Sequence, residues 1–144
     1  MSTQSNKQIV QRFFELMSRF EVEAGFALLA PDATWWIPTD RPGGLTVTKA
    51  EMLGSVGAFT RAFAQAPVTA FGRMVAEGNL VCLEQTTRGG RTHGGTEYGN
   101  DYLLLVELRD GLITEVREYM NPVLAAGLMA EMAQAGGPAG GPAG

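Results

Sequence analysis

Tyr98, Asn100 and Tyr102 recur at every second position, which sets two phenols and an amide on one face of a strand. Such a row can orient a substrate oxygen and donate hydrogen bonds to charge developing on it. The competing reading is ordinary strand composition, with hydroxyls at the sheet rim. Glu118 shares a strand face, by alternation, with Thr114, Val116 and Met120, a mostly apolar set. A carboxyl group in such surroundings has its charged form disfavoured. Its pKa rises, and it can exchange a proton near neutral pH. An ion pair with an arginine on a neighbouring strand is the alternative for Glu118.

Other residues could assist. Trp35 and Trp36 are adjacent on a strand and so point to opposite faces. One of them is expected to line a cavity and stack on an aromatic or polycyclic ligand, with Phe14 of the first helix adding a wall. Asn121 could bind a ligand at the cavity mouth, although Pro122 after it also marks Asn121 as a helix N-cap. Glu84 could complete an acid/base pair with Glu118 or be an exposed charge. His93, the single histidine, lies in a glycine-rich turn as a rim contact or a solvent-exposed residue. Cys82, the single cysteine, sits in an apolar run and reads as packed core. One His and one Cys without spaced carboxylates do not make a metal site. No glycine-rich loop opens a helix, so no nucleotide is expected. The chemistry expected is cofactor-independent.

The elements that position these residues follow from periodicity. Ser5 and Gln8 suggest a capping box for a first helix from about Asn6, with Ile9, Val10, Phe13, Phe14, Met17 and Phe20 as its buried stripe. A short helix over about Glu21–Leu29 is stopped by Pro31. Ala33–Ile37 reads as a strand and Pro38–Thr46 as a loop. Thr48 and Glu51 cap a third helix, about Lys49–Ala64, with Met52, Leu53, Val56, Phe59 and Phe63 on one side. Gly54 and Gly57 within it suggest close approach of a strand or a ligand. Strands follow at Val68–Ala76, Leu80–Thr87, Glu97–Leu108 and Leu112–Tyr119, joined by a turn at Glu77-Gly78-Asn79, a looser one over Arg88–Gly95 and a tight one at Arg109-Asp110-Gly111. A last helix spans about Pro122–Gln134.

The chain has 144 residues, 45% of them hydrophobic and 18% charged, so one globular domain over residues 1–135 is expected. Residues 136–144, with GGPA twice, read as a disordered Gly/Pro/Ala-rich tail. The net charge is −4 and there is no Lys/Arg block, which argues against nucleic acid and anionic membranes as partners. No apolar run approaches a membrane span, and the opening MSTQSNKQIV has no secretion-signal core, so a cytoplasmic location is expected. Helices gathered before an antiparallel sheet make an α+β domain. Helices cover one sheet face. Leu103 and Leu105 on the other call for a second subunit, so a homodimer through the sheet face is expected.

This order resembles the nuclear transport factor 2-like superfamily, in its SnoaL-like and ketosteroid-isomerase-like branch, over about residues 6–130. The resemblance rests on Phe26-Ala27-Leu28-Leu29-Ala30-Pro31-Asp32-Ala33, on the Trp-rich strand followed by Pro38, and on the final strand pair with Asp110-Gly111 and Arg117-Glu118-Tyr119. It implies a cystatin-like roll: a cone-shaped, curved mixed or antiparallel sheet wrapped around the N-terminal helices, with an apolar cavity, usually dimeric through the outer face. The superfamily hosts isomerases, cyclases, dehydratases, C–C lyases, epoxide hydrolases and non-catalytic binders. Three departures stand out. Ile37 occupies the position of the isomerases' aspartate, and Asp40 is displaced from it. Gln85 and Thr87 stand where limonene-type epoxide hydrolases carry Arg and Asp. Asn121 stands where cyclases and epoxide hydrolases tend to carry Asp.

The expected function is acid/base catalysis on a hydrophobic, aromatic or polycyclic small molecule: isomerisation, dehydration, cyclisation or retro-aldol-type cleavage. Glu118 would move the proton. Tyr102, Tyr98 and Asn100 would hold the oxygen. The alternative is a non-catalytic small-molecule-binding module of the same fold.

Overall fold

A computed structural model describes residues 2–140. Helix α1 (Thr3–Ser18) begins before the predicted Asn6, because Ser2 rather than Ser5 is its cap. The Ser2 hydroxyl accepts a hydrogen bond from the Ser5 backbone N–H at 3.0 Å. Most of the predicted stripe is present: Val10, Phe13 and Phe14 are buried, with Ile9 and Met17 packed beside them, while Phe20 falls past the helix end and packs in a separate cluster. Helix α2 (Val22–Phe26) is shorter than predicted. Strand β1 (Leu29–Ile37) takes its place from Leu29 onward and contains Pro31. Its register is irregular between Leu29 and Thr34, where a residue without a backbone donor can sit.

The stretch read as a loop contains a further strand, β2 (Leu45–Thr48), antiparallel to β1. Helix α3 (Lys49–Ala62) carries the Thr48–Glu51 capping box. It ends before Ala64 because strand β3 (Phe63–Gln65) pairs with a later strand. Of its predicted stripe Met52 is buried on the helix, Phe63 is buried but lies on β3, and Leu53 is exposed. A Cβ on Gly54 would meet nothing and one on Gly57 would meet only the Arg61 side chain, so neither glycine marks a close approach.

The remaining strands are β4 (Val68–Glu77), β5 (Leu80–Thr92), β6 (Glu97–Arg109) and β7 (Leu112–Met120). Strand β5 continues through most of the predicted Arg88–Gly95 turn, helped by a register shift between Thr87 and Gly90. Gly90 is needed there: a Cβ would stand 2.9 Å from the Phe63 ring and 3.0 Å from the Tyr98 carbonyl. Asp110 and Gly111, at φ 53 and 81, form the two-residue turn between β6 and β7.

The sheet order is β2-β1-β7-β6-β5-β3, with β4 also on β5. Only β1 and β7 run parallel. Register irregularities in β1, β4, β5 and β7 accompany a strong curl of the sheet into a half-barrel around α1. Inside lie Val81, Leu83, Leu104, Val106, Leu108, Ile113 and Val116 with Trp35 and the α1 stripe.

A second cluster of Phe63, Tyr98, Ala125 and Leu128 closes the other end. It recruits α4 (Pro122–Gly140), which begins where predicted, with the Asn121 side chain accepting from Val123 N–H at 2.9 Å. Helix α4 runs past Gln134, so the backbone of the first part of the Gly/Pro/Ala tail is helical; residues 141–144 lie outside the described ones. The chain has no described helix long and apolar enough to cross a membrane.

The inner and outer faces should differ sharply in tolerance. Phe13→Ala removes a ring with no exposed surface and is expected to cost about 3–5 kcal/mol by urea denaturation. Val75→Ala, 64% exposed on the outer face, should stay within about 0.5 kcal/mol.

Candidate active site

The register of β6 on β7 sets Leu104 opposite Glu118 and Tyr102 opposite Met120. Alternation then turns Tyr98, Asn100, Tyr102 and Glu118 inward together. From the parallel side, β1 places Trp35 beside Val116. The Trp35 indole N–H donates to Glu118 Oε1 at 3.1 Å, the one hydrogen bond to this carboxylate among the described residues. The Phe13 ring backs the indole at 5.8 Å. Burial pushes the Glu118 carboxyl up from 4.5 to about 7, with the Trp35 bond pulling weakly the other way. Among the described residues no arginine pairs with it, so the ion-pair reading fails. Its predicted face holds except at Thr114, which falls in the register shift and donates to the Glu107 carbonyl at 3.2 Å.

The Tyr98 and Tyr102 hydroxyls are 2.5 Å apart. Burial raises both phenols above their usual range, and the nearby Glu118 charge adds to this. Both are therefore protonated donors at neutral pH. Asn100, with no exposed surface, donates from Nδ2 to Tyr98 Oη at 3.2 Å and to the Asn121 carbonyl at 2.9 Å. Its Oδ1 accepts from the backbone N–H of Asn121 at 3.0 Å and of Asp101 at 2.9 Å. The Asn100 amide is thus committed to the protein. It positions Tyr98 and the start of α4 and has little left for a substrate.

Glu118 and Tyr102 keep accessible surface, while Leu104, Val106 and Val116 around them keep almost none. The inner face is packed solid below this level. A carboxyl that titrates near neutrality, facing a phenol donor across an apolar interior, can abstract a proton from carbon while an oxygen is held.

The structure does not bring every candidate together. Trp36 lies on the outer face, where its indole N–H donates to the Gly43 carbonyl at 2.8 Å and Arg117 stacks 4.3 Å over its ring. His93 is exposed in the β5–β6 turn, far in sequence and register from Glu118. Phe14 is buried edge-on against Phe13, and it is Phe13 that meets Trp35. Asn121 caps α4 with its side chain.

Glu84 is on the outer face, held by Arg73 through bonds of 2.8 and 2.9 Å that bring its carboxyl down to about 2, so it is no partner for Glu118. Cys82 is half-buried on that same outer face rather than in the core, opposite Leu105. The rings that sequence reading did not connect with the site are Phe13, which meets Trp35, and Phe20, Phe59 and Phe63, which cluster with Tyr98. Their helical spacing reads as core, and nothing local separates a ring that fills a core from one that faces an opening.

The family model for the SnoaL-like domain matches residues 10–116. No curated protein matches the chain. Among solved structures, an NTF2-like protein of Burkholderia xenovorans is 26% identical, with a TM-score of 0.69 over 88% of this chain and 96% of that one. PrhC of Penicillium brasilianum is 16% identical, with a TM-score of 0.79 over 96% and 95%. IdmH of Streptomyces antibioticus, described as a candidate polyketide cyclase, is 20% identical, with a TM-score of 0.70 over 87% and 98%. The last two are similar in fold alone.

The raised Glu118 carboxyl makes stability depend on pH with a definite sign. The folded chain holds this proton more tightly than the unfolded chain, so the stabilisation is complete below about 4.5 and is lost as the pH rises through about 7. Urea denaturation between pH 5 and pH 8 should show a loss approaching about 3 kcal/mol, and Glu118→Gln should abolish most of it.

Proposed function

Since the chain belongs to the SnoaL-like domain family, we propose that it is a cofactor-independent acid/base enzyme acting on a hydrophobic, aromatic or polycyclic small molecule. One observation carries the reading: a carboxyl with a single hydrogen bond, from Trp35, shares an apolar interior with the paired hydroxyls of Tyr98 and Tyr102. Ionised Glu118 takes a proton from a C–H beside a carbonyl or phenol. The C–H electron pair moves onto the adjacent oxygen, where the Tyr102 hydroxyl donates to the enolate as it forms. Glu118 then returns the proton, to a different carbon in an isomerisation or to a leaving hydroxyl in a dehydration. The description of IdmH as a candidate polyketide cyclase supports a substrate of this size and apolarity. The departures at Ile37 and Asn121 leave Glu118 as the one carboxylate in this set.

The outer sheet face supports a homodimer. Leu103, Leu80, Val75 and Tyr119 are exposed on it, beside Trp36 and Arg117, and Trp, Tyr and Arg are the types that dominate interface energetics.

The test begins with mass spectrometry of small molecules retained by the purified protein, followed by turnover of those found. Glu118→Gln should lower kcat/KM by about 10²–10⁴-fold and Tyr102→Phe by about 10²-fold. The rate should rise with pH around a midpoint near 7, following ionisation of Glu118. Full turnover in Glu118→Gln would remove Glu118 as the base. Retention of a ligand with no turnover in the parent protein would make the chain a binding module. For the assembly, Leu103→Asp should convert a dimer to a monomer in sedimentation velocity, and a parent protein that is already monomeric would end that part of the reading.

A further inference from the structure

Helix α1 ends in a backbone motif that ordinarily calls for glycine. Phe20 N–H donates to the Met17 carbonyl and Glu21 N–H to the Leu16 carbonyl, each at 3.0 Å. This bond pair closes a helix around a residue in the left-handed conformation. That residue is Phe20, at φ 60. A bulky side chain there is strained where glycine would be at ease. Strain of this kind persists where the surrounding structure holds the residue in a required place.

The Phe20 ring stands at the end of the cone where the phenol pair lies. Its centroid is 6.4 Å from that of Phe59, and that of Phe59 is 6.1 Å from that of Tyr98, both in edge-to-face contact. The Tyr98 hydroxyl in turn touches that of Tyr102. Phe20 also keeps part of its surface in solvent, where it lines a shallow concavity with Val22, Ala24, Ala27 and the carboxylates Glu21 and Glu23. A continuous line of rings therefore runs from the surface to the candidate active site.

We propose that Phe20 is the access and specificity residue of the cone. Its ring swings away from Phe59 to admit a flat, uncharged aromatic or polycyclic molecule and closes behind it. Edge-to-face rings part to leave a slot, which suits a planar ligand, and the carboxylates at the lip disfavour anions. This inference rests on the reading of the interior as an active site. The competing route lies under α4, which is tied down where Glu131 Oε1 accepts from the Thr92 hydroxyl at 2.7 Å and the Thr96 hydroxyl at 2.6 Å.

Trp36→Phe leaves Trp35 as the single tryptophan, and its contact with Glu118 makes its fluorescence a reporter on the interior. In that background Phe20→Gly should raise the acrylamide quenching constant of Trp35 by about threefold or more, with the thermal midpoint unchanged or higher, because glycine relieves the backbone. Glu131→Ala, which releases α4, should leave the quenching constant unchanged. A constant unaffected by Phe20→Gly, or raised only together with a lowered midpoint, overturns the proposal. So does a larger effect of Glu131→Ala, which would put the route under α4. None of these readouts involves turnover, so they can fail while Glu118→Gln still abolishes activity, and the reverse.

Discussion

The site depends on the parallel pairing of β1 with β7. Every other strand pair in the sheet is antiparallel, and apart from β3 on β5 each joins strands consecutive in the chain. This one joins residues from opposite ends of the chain, and it sets Trp35 beside Val116, one inward step from Glu118. Without that register the carboxyl would have no hydrogen-bond donor, and a buried carboxyl without a partner is expensive. With it, Glu118 has one donor and no counter-charge. That is enough to order the side chain and too little to hold the proton off near neutral pH.

Asn100 performs a second kind of ordering. All four of its hydrogen-bonding directions are used within the protein, two on the backbone of Asn121 and one on Tyr98. A buried amide satisfied in this way couples the start of α4 to the orientation of the phenols. The Tyr98–Tyr102 pair and the closing helix are thereby fixed by the same side chain. Glutamate and tyrosine supply the chemistry, while asparagine and tryptophan supply only direction.

Most of the fold is legible in the sequence because strong periodicity and turn chemistry coincide. Asp110-Gly111 between apolar strands, the Thr48–Glu51 box and Asn121-Pro122 each specify a local geometry that the structure adopts. What is missed is short or set by distant partners. β2 and β3 have few residues and exist because a neighbouring strand offers an edge, and no pattern within Leu45–Thr48 announces that edge. The inward row of Tyr98, Asn100 and Tyr102 with Glu118 follows from alternation alone. The division of labour inside it does not. That Asn100 is spent on backbone, that Glu84 belongs to Arg73 and that Trp35 rather than Trp36 points inward are facts of register, which the sequence leaves undetermined by one residue.

The distance in sequence between the two partners of the decisive hydrogen bond, 83 residues, bears on how the molecule comes into being. The β4–β5–β6–β7 meander can form by local closure, whereas β1 must wait for the last strand to be made before it can join its edge. Until then an indole and a row of apolar side chains on β1 have no sheet to lie against. During synthesis the amino-terminal part of the chain is thus the part most dependent on protection from aggregation, and the chemical centre assembles only when the two ends meet.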